Sequence, residues 1–345
     1  MNDTSRQGAR TRLFIFLLSL ALIPAFAGAL LWGSARFSLS ELYRAFLSPG
    51  GGEDGSDVAA LILFEIRLPR LILAAAVGAS LAVAGAAFQG IFRNALADPY
   101  VIGASSGAAL GAALAIISGI SLAGSLSPVS LCAFVGAMGA VLLVFVISRS
   151  VGNPPPAVAL LLAGTALSTL FSSFLSLVLV LKDGDLYRVY YWLLGSFNGT
   201  SWTEIPAALL VMFAGCLIIF LNGRPLDLLL QGEEVAESLG VEVGRARLLA
   251  ALGASLAVAA AVSMAGIIGF VGLIAPHMAR MVTGPVHRRL LPASALAGAL
   301  ILILADTIAR SAGGMELPIG VITSIGGAPF FIYLLARKGK NLGKF

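Results

Sequence analysis

LPRLILAAAVGASLAVAGAAFQGIF, residues 68–92, carries one charged side chain, Arg70, in a stretch long enough to cross a bilayer as a single helix. A hydrocarbon core of about 30 Å needs roughly 20 apolar residues at a rise of about 1.5 Å each. Gly78, Ala82, Gly85 and Ala86 recur along it at helical spacing. Small residues let helix backbones approach closely in lipid. Lipid, rather than water, is the solvent this segment calls for.

The same reading extends outward to most of the chain. Apolar segments fall at about 13–33, 68–92, 100–118, 128–148, 157–181, 203–221, 246–265, 267–281, 292–310 and 318–336. The 267–281 segment is short, with Gly269 and Gly272 inside it, Gly266 just before it and Pro276 near its end. Over all 345 residues, 59% are hydrophobic and 11% charged, against about a quarter charged in soluble domains. Mean hydropathy is +0.98. The expected fold class is an all-α membrane protein, a polytopic bundle of about ten transmembrane helices. It is read as a single transmembrane domain over residues 1–345. Residues 1–12 are polar and basic ahead of an apolar run, but no small-residue cleavage site closes that run, so the first helix is read as retained.

With the N-terminus inside, seven Lys and Arg fall outside: Arg36, Arg44, Arg67, Arg70, Lys182, Arg188 and Arg310. The remaining 15 of the 22 fall inside, as the positive-inside rule expects. Both termini are thus expected in the cytoplasm. The net charge of +5 follows from that bias, and no basic face with aromatic platforms points to nucleic acid. Cys132 and Cys216 lie inside apolar runs, and His277 and His287 are too few and too far apart for a metal centre. A faint internal echo pairs the segments near 94–112 and 266–281, and internal repeats are common in transporters.

Three connections are long: outer loops at 34–66 and 182–202, and an inner loop at 222–245. Within the inner loop, Glu233 to Leu239 reads as a short amphipathic helix stopped by Gly240. It is either a solvated helix or a docking surface whose Val235, Ala236 and Leu239 enter a partner's groove. Arg67 and Arg70 open the second span and either snorkel to the interface or meet a partner's carboxylates. Asp306 and Arg310 lie four residues apart on one helical face, which suits an internal pair. Asn94 to Pro99 reads as a tight turn or as the lining of a pathway, and Arg149 to Pro156 as a turn first and a gate second.

Several function classes are excluded by what is missing. No GxxxxGK[ST] loop occurs, so ATP hydrolysis is not expected in this chain. No catalytic triad or paired carboxylates stand out, so the chain is not read as an enzyme. Few charges lie mid-span, which argues against a proton or sodium relay.

Four stretches together are similar to the FecCD-type permeases of bacterial and archaeal ABC importers, over about Phe64 to Ala336. They are Arg67-Leu-Pro-Arg70; Gln89-Gly-Ile-Phe-Arg-Asn94 with Asp98-Pro99 and Gly103-Ala-Ser-Ser-Gly107; Gly269 to Arg280; and Leu304 to Arg310 with Glu316-Leu-Pro318-Ile-Gly320 and Gly327-Ala-Pro329-Phe330. The resemblance implies the type II ABC importer permease fold in the cytoplasmic (inner) membrane. Its implied partners are a second permease copy (homodimer), two ATPase subunits carrying ATP and magnesium, and an external substrate-binding protein. It implies binding-protein docking by Arg67, Arg70 and Arg310, and an inner gate at Asn94, Leu96, Asn153 and Pro154. ATPase coupling is implied through Gly232, Glu233, Glu234, Ala236, Leu239 and Gly240. The family has Pro after the gate Asn, where this chain has Ala95. No cofactor or metal is expected in the chain itself. The cargo implied first is a ferric siderophore, then cobalamin or haem. The reading from another class is an ATP-independent secondary transporter.

Overall fold

The computed structural model describes residues 2–33, 38, 40, 41, 43, 56–121, 127–152, 156–312 and 316–339. All regular structure among the described residues is helical. The order is α1 Asn2–Leu31, α2 Ser56–Leu61, a π-helical turn Ile62–Arg67, α3 Leu68–Ile91, α4 Ala104–Ser118, α5 Pro128–Arg149, α6 Ala157–Leu181 and α7 Leu186–Leu193. Then come α8 Ile205–Leu221, α9 Gly223–Leu229, α10 Glu233–Ser238, α11 Val243–Ala265, α12 Val271–Thr283, α13 His287–Ser311 and α14 Ile319–Gly339.

Six helical stretches are long and apolar enough to span a membrane unaided, and α8 joins them when counted with α9, which continues it after a bend of 52°. The shorter α4, α12 and α14 complete a polytopic bundle of about ten membrane helices. The second span begins earlier than hydropathy suggested. Residues 56–67, expected in an outer loop, are helical and run through the π turn into α3. The outer connection 182–202 contains α7, and the inner connection 222–245 contains α9 as well as the expected α10. Helix α1 starts at Asn2, ahead of the apolar run.

Helix α3 is the central post and is buried almost continuously from Leu71 to Ile91. Its glycines set the packing distances. A methyl group on Gly78 would collide with the carbonyl of Gly298 in α13, and one on Gly85 with that of Gly272 in α12. Gly107 in α4 meets the Gly136 carbonyl of α5 in the same way. The small-residue runs are therefore backbone contacts, as helix association in lipid favours.

Where the helices break, the breaks satisfy one another. Ser196 donates its N–H to Ala265 O (2.8 Å), Ile319 to Gly195 O (2.9 Å) and Gly320 to Leu194 O (3.0 Å). Tyr100 donates its hydroxyl to Ile268 O at 3.0 Å, tying the segment before α4 to the one before α12. Both short helices are entered through a left-handed residue, Gly103 (φ 85°) and Phe270 (φ 68°). Non-helical backbone at this depth survives only when protein supplies its hydrogen bonds.

Gly85→Leu is expected to abolish the α3–α12 contact, at a cost above the about 1–3 kcal/mol of ordinary overpacking, because the obstacle is backbone. Gly139→Ala, whose added methyl meets nothing within 4 Å, should leave thermal unfolding in detergent near that of the parent. Equal melting of the two variants would refute the packing account.

Candidate functional site: two polar ends of the bundle

One end of the bundle carries Arg67, Arg70 and Arg310. Arg70 bridges two carboxylates, donating from Nε to Asp306 (2.8 Å) and from Nη1 to Glu316 (3.0 Å). Arg310 lies 2.9 Å from the other Asp306 oxygen, so the expected i,i+4 pair is present. Arg310 also donates to Ala29 O at 3.0 Å, and Arg67 donates to Leu30 O. These carbonyls end α1, where the helix dipole is negative and attracts cations. The three arginines are 4%, 4% and 6% exposed. From the residues, Arg67 and Arg70 were expected to snorkel to the interface or face a partner, and Arg310 to pair with Asp306. The structure builds all three into a buried cluster that fastens α1, the π-helical turn, α3 and α13 together.

At the opposite end, α9 and α10 form an elbow outside the bundle. Gly232 (φ 128°) lets the chain turn into α10, Glu233 and Glu234 occupy its first turn, and Gly240 (φ 81°) follows its end. Carboxylates at a helix N-terminus complement its dipole. Asp227 of α9 accepts the backbone N–H of His287 (2.7 Å) and lies 2.6 Å from its Nδ1. It thereby caps α13 and, with the carboxylate accepting, places the imidazole proton on Nδ1. Glu233, half-exposed, reaches back to the bundle. Its Oε1 accepts from Arg247 of α11 (2.7 Å) and from Arg93, just beyond α3 (3.0 Å). Ala236 is fully buried in the chain's own core, which corrects the expectation that it enters a partner's groove. Val235 (40%) and Leu239 (60%) are exposed, as are Glu234 and Glu237.

Asn94 and Leu96 lie beside this elbow. The Asn94 side chain accepts the Leu96 N–H at 2.9 Å, and its carbonyl accepts from Ala97 at 3.1 Å. Ala95 thus occupies a position of a closed turn where Pro is favoured, and the side chain of Asn94 closes the turn without it. Burial pushes the Asp98 carboxyl above the usual carboxylate range, partly offset by the Tyr100 N–H. Asn153 and Pro154 lie outside the described residues.

Sequence reasoning missed the partners of these residues. Glu316, Asp227, Arg93 and Arg247 had no sequence neighbour to announce their pairings. A further row was legible but unread. Thr165, Thr169, Ser172 and Ser176 of α6 are spaced four, three and four apart and are all exposed. Thr165, Thr169 and Ser176 return their hydroxyl protons to their own helix. Among the described residues no group of side chains suits a metal ion.

A bundle of about ten membrane helices with a polar cluster at each end is an architecture that suits a membrane permease. The FecCD transport family model matches residues 17–337. The chain is 45% identical over 313 residues to the cobalamin import system permease protein BtuC of Halobacterium salinarum, covering 91% of this chain and 81% of that protein. It is 38% identical to the hemin transport system permease protein HmuU of Yersinia pestis, covering 94% and 95%. A solved structure assigned to the metal-chelate type of ABC transporter, in an inward-facing conformation, aligns with TM-score 0.79 at 36% identity over 94% of this chain and 98% of that one. The chain belongs to the FecCD transport family. It is a multi-pass membrane permease subunit of the ABC importer class.

Replacing Arg70 with Ala should destabilise the fold by roughly 3–5 kcal/mol, because a buried carboxylate loses a partner. Arg70→Lys should recover only part of this, since one ammonium cannot serve two carboxylates from two nitrogens as the guanidinium does. Thermal unfolding of the purified variants measures both, and an unchanged midpoint for Arg70→Ala would contradict the clustered geometry.

Proposed function

We propose that two copies of this chain form the membrane path of an ATP-driven importer, with two ATPase subunits on the elbow end and a substrate-binding protein on the arginine end. The observation that carries this reading is the exposed face of α10. A helix of six residues projects Glu234, Val235 and Glu237, with Leu239 just after it, away from a fully buried Ala236. An apolar pair flanked by carboxylates suits a groove with an apolar floor and basic rim. The chain carries no nucleotide loop of its own.

On this reading the elbow end and both termini are cytoplasmic, the membrane is the inner one, and the 15-to-7 charge bias supports that orientation. The passage lies between the copies. Cavities of 360 and 390 Å³ in the single chain are an end pocket beside α7 and an apolar flank groove bounded by α12, α13 and α14, and neither suits a through-path. The hydroxyl row of α6 suits a wet or shared surface better than lipid. Asn94 and Leu96, with Asn153 and Pro154, form the inner gate. The cargo is a metal chelate, with a ferric siderophore first and cobalamin or haem next; relatives named for importing cobalamin and hemin support the class of cargo.

The docking role of Arg67, Arg70 and Arg310 takes a specific form here. In this conformation their guanidiniums serve the chain itself, so a binding protein's carboxylates would meet them once the end of α1 moves aside.

Val235→Asp together with Leu239→Asp should weaken ATPase binding about tenfold or more, since central apolar anchors dominate such interfaces. Co-purification of the ATPase with the variant permease checks this. Full retention of a coupled ATPase would overturn the assignment of α10.

A further inference from the structure

Arg93 is one of two non-glycine residues with positive φ among the described residues, at 48°. The hydrogen bonds around it explain why the chain turns there. Arg93 donates its N–H to Gly90 O (3.2 Å) and Asn94 donates to Gln89 O (3.1 Å). This pair of bonds is the Schellman ending of α3, and Arg93 occupies the left-handed position that glycine normally takes. A residue with a Cβ pays a conformational penalty there. Strain of this kind points to a job for the side chain when the structure shows where that side chain goes.

The guanidinium of Arg93 goes to Glu233. A single carboxylate oxygen, Oε1, receives Arg93 at 3.0 Å and the buried Arg247 at 2.7 Å. Three elements therefore meet at one atom: the end of α3, the first turn of α10 and the second turn of α11. The next residue in the chain, Asn94, opens the turn whose side-chain cap holds the 94–97 loop. Arg247 alone would neutralise Glu233 and satisfy a fixed structural pair. Arg93, half-exposed and strained, adds a second tie that ends at the gate loop.

We infer that Glu233 is the positioning residue that transmits movement of α10 to the gate loop, with Arg93 as its receiving arm and Arg247 as its fixed pivot. This rests on the proposed ATPase docking to α10 and deepens it. A push on α10 moves Glu233, and the charge-assisted bond to Arg93 passes the displacement into the turn that begins at Asn94. Glu233 therefore faces the permease and not the ATPase, although it sits on the helix that the ATPase contacts.

The test uses the full complex, permease with its ATPase and binding protein, reconstituted in vesicles with a radiolabelled ferric siderophore. Arg93→Gly removes the arm and relieves the backbone strain. Its melting midpoint should stay at or above that of the parent, its ATPase should remain bound, and uptake per ATP hydrolysed should fall about tenfold, within the usual range of coupling between sites. Glu233→Gln should also retain the ATPase and lower uptake per ATP, and the double variant should be no worse than the poorer single one. Arg93→Lys, which keeps a cation within reach of Glu233 and leaves the Glu233–Arg247 pair intact, should recover a large part of the loss seen in Arg93→Gly.

Normal uptake per ATP in Arg93→Gly overturns the proposal. So does dissociation of the ATPase from Glu233→Gln alone, since it would assign Glu233 to the partner's surface. Failure of the docking reading shows separately, as undiminished ATPase binding in the Val235→Asp, Leu239→Asp variant.

Discussion

A backbone N–H or C=O inside a bilayer has no water to turn to, and each unmatched group costs several kcal/mol. The rest of this structure depends on meeting that constraint. Most of the chain meets it by remaining helical. At 194–196, 266–270 and 318–320 the helices stop, and their free groups answer one another through Ser196, Ile319 and Gly320. The last carbonyls of α1 are answered by Arg67 and Arg310. Glycines at 195 and 266 permit the first two breaks, both with positive φ.

The consequence is a bundle with a firm middle and two chemically different ends. Helices α3 and α13 run the full depth and touch backbone to backbone at Gly78 and Gly298. At one end they are bound together by Arg70, Asp306 and Arg310. At the other they diverge to different parts of the elbow, α3 through Arg93 to Glu233 and α13 through His287 to Asp227. Both helices are therefore tied to the elbow by side-chain contacts. The buried charges cluster at helix ends, which fits a path opened by partners better than a relay of protons through the core.

Hydropathy made most spans legible, because lipid demands long apolar runs and the sequence supplies them with few interruptions. It lost the start of the second span, where Asp57, Glu65 and Arg67 interrupt the apolar pattern of a segment that is nonetheless helical. It also lost α9, since Pro225 and Asp227 read as loop, and Pro is well tolerated in a first helical turn. The elbow's position was legible from Gly232 and Gly240. The face of α10 was not. Six residues make under two turns, too few for a periodic pattern, and the inward direction is set by Arg247 and Arg93, remote in sequence. For the same reason Ala236 was expected outward and lies inward. The arginines were visible as unusual residues at a span's entry, but Asp306 and Glu316, more than two hundred positions away, decide where Arg70 points, and the end of α1 decides where Arg67 points.

The central claim is that this chain is a passage without its own engine, driven from the elbow end. The most direct test is transport by purified permease in sealed vesicles, with binding protein and a ferric siderophore outside. The account predicts accumulation only when the ATPase subunits and internal ATP are both present, and none from a proton or sodium gradient alone. Uptake driven by an ion gradient in vesicles lacking the ATPase would contradict it.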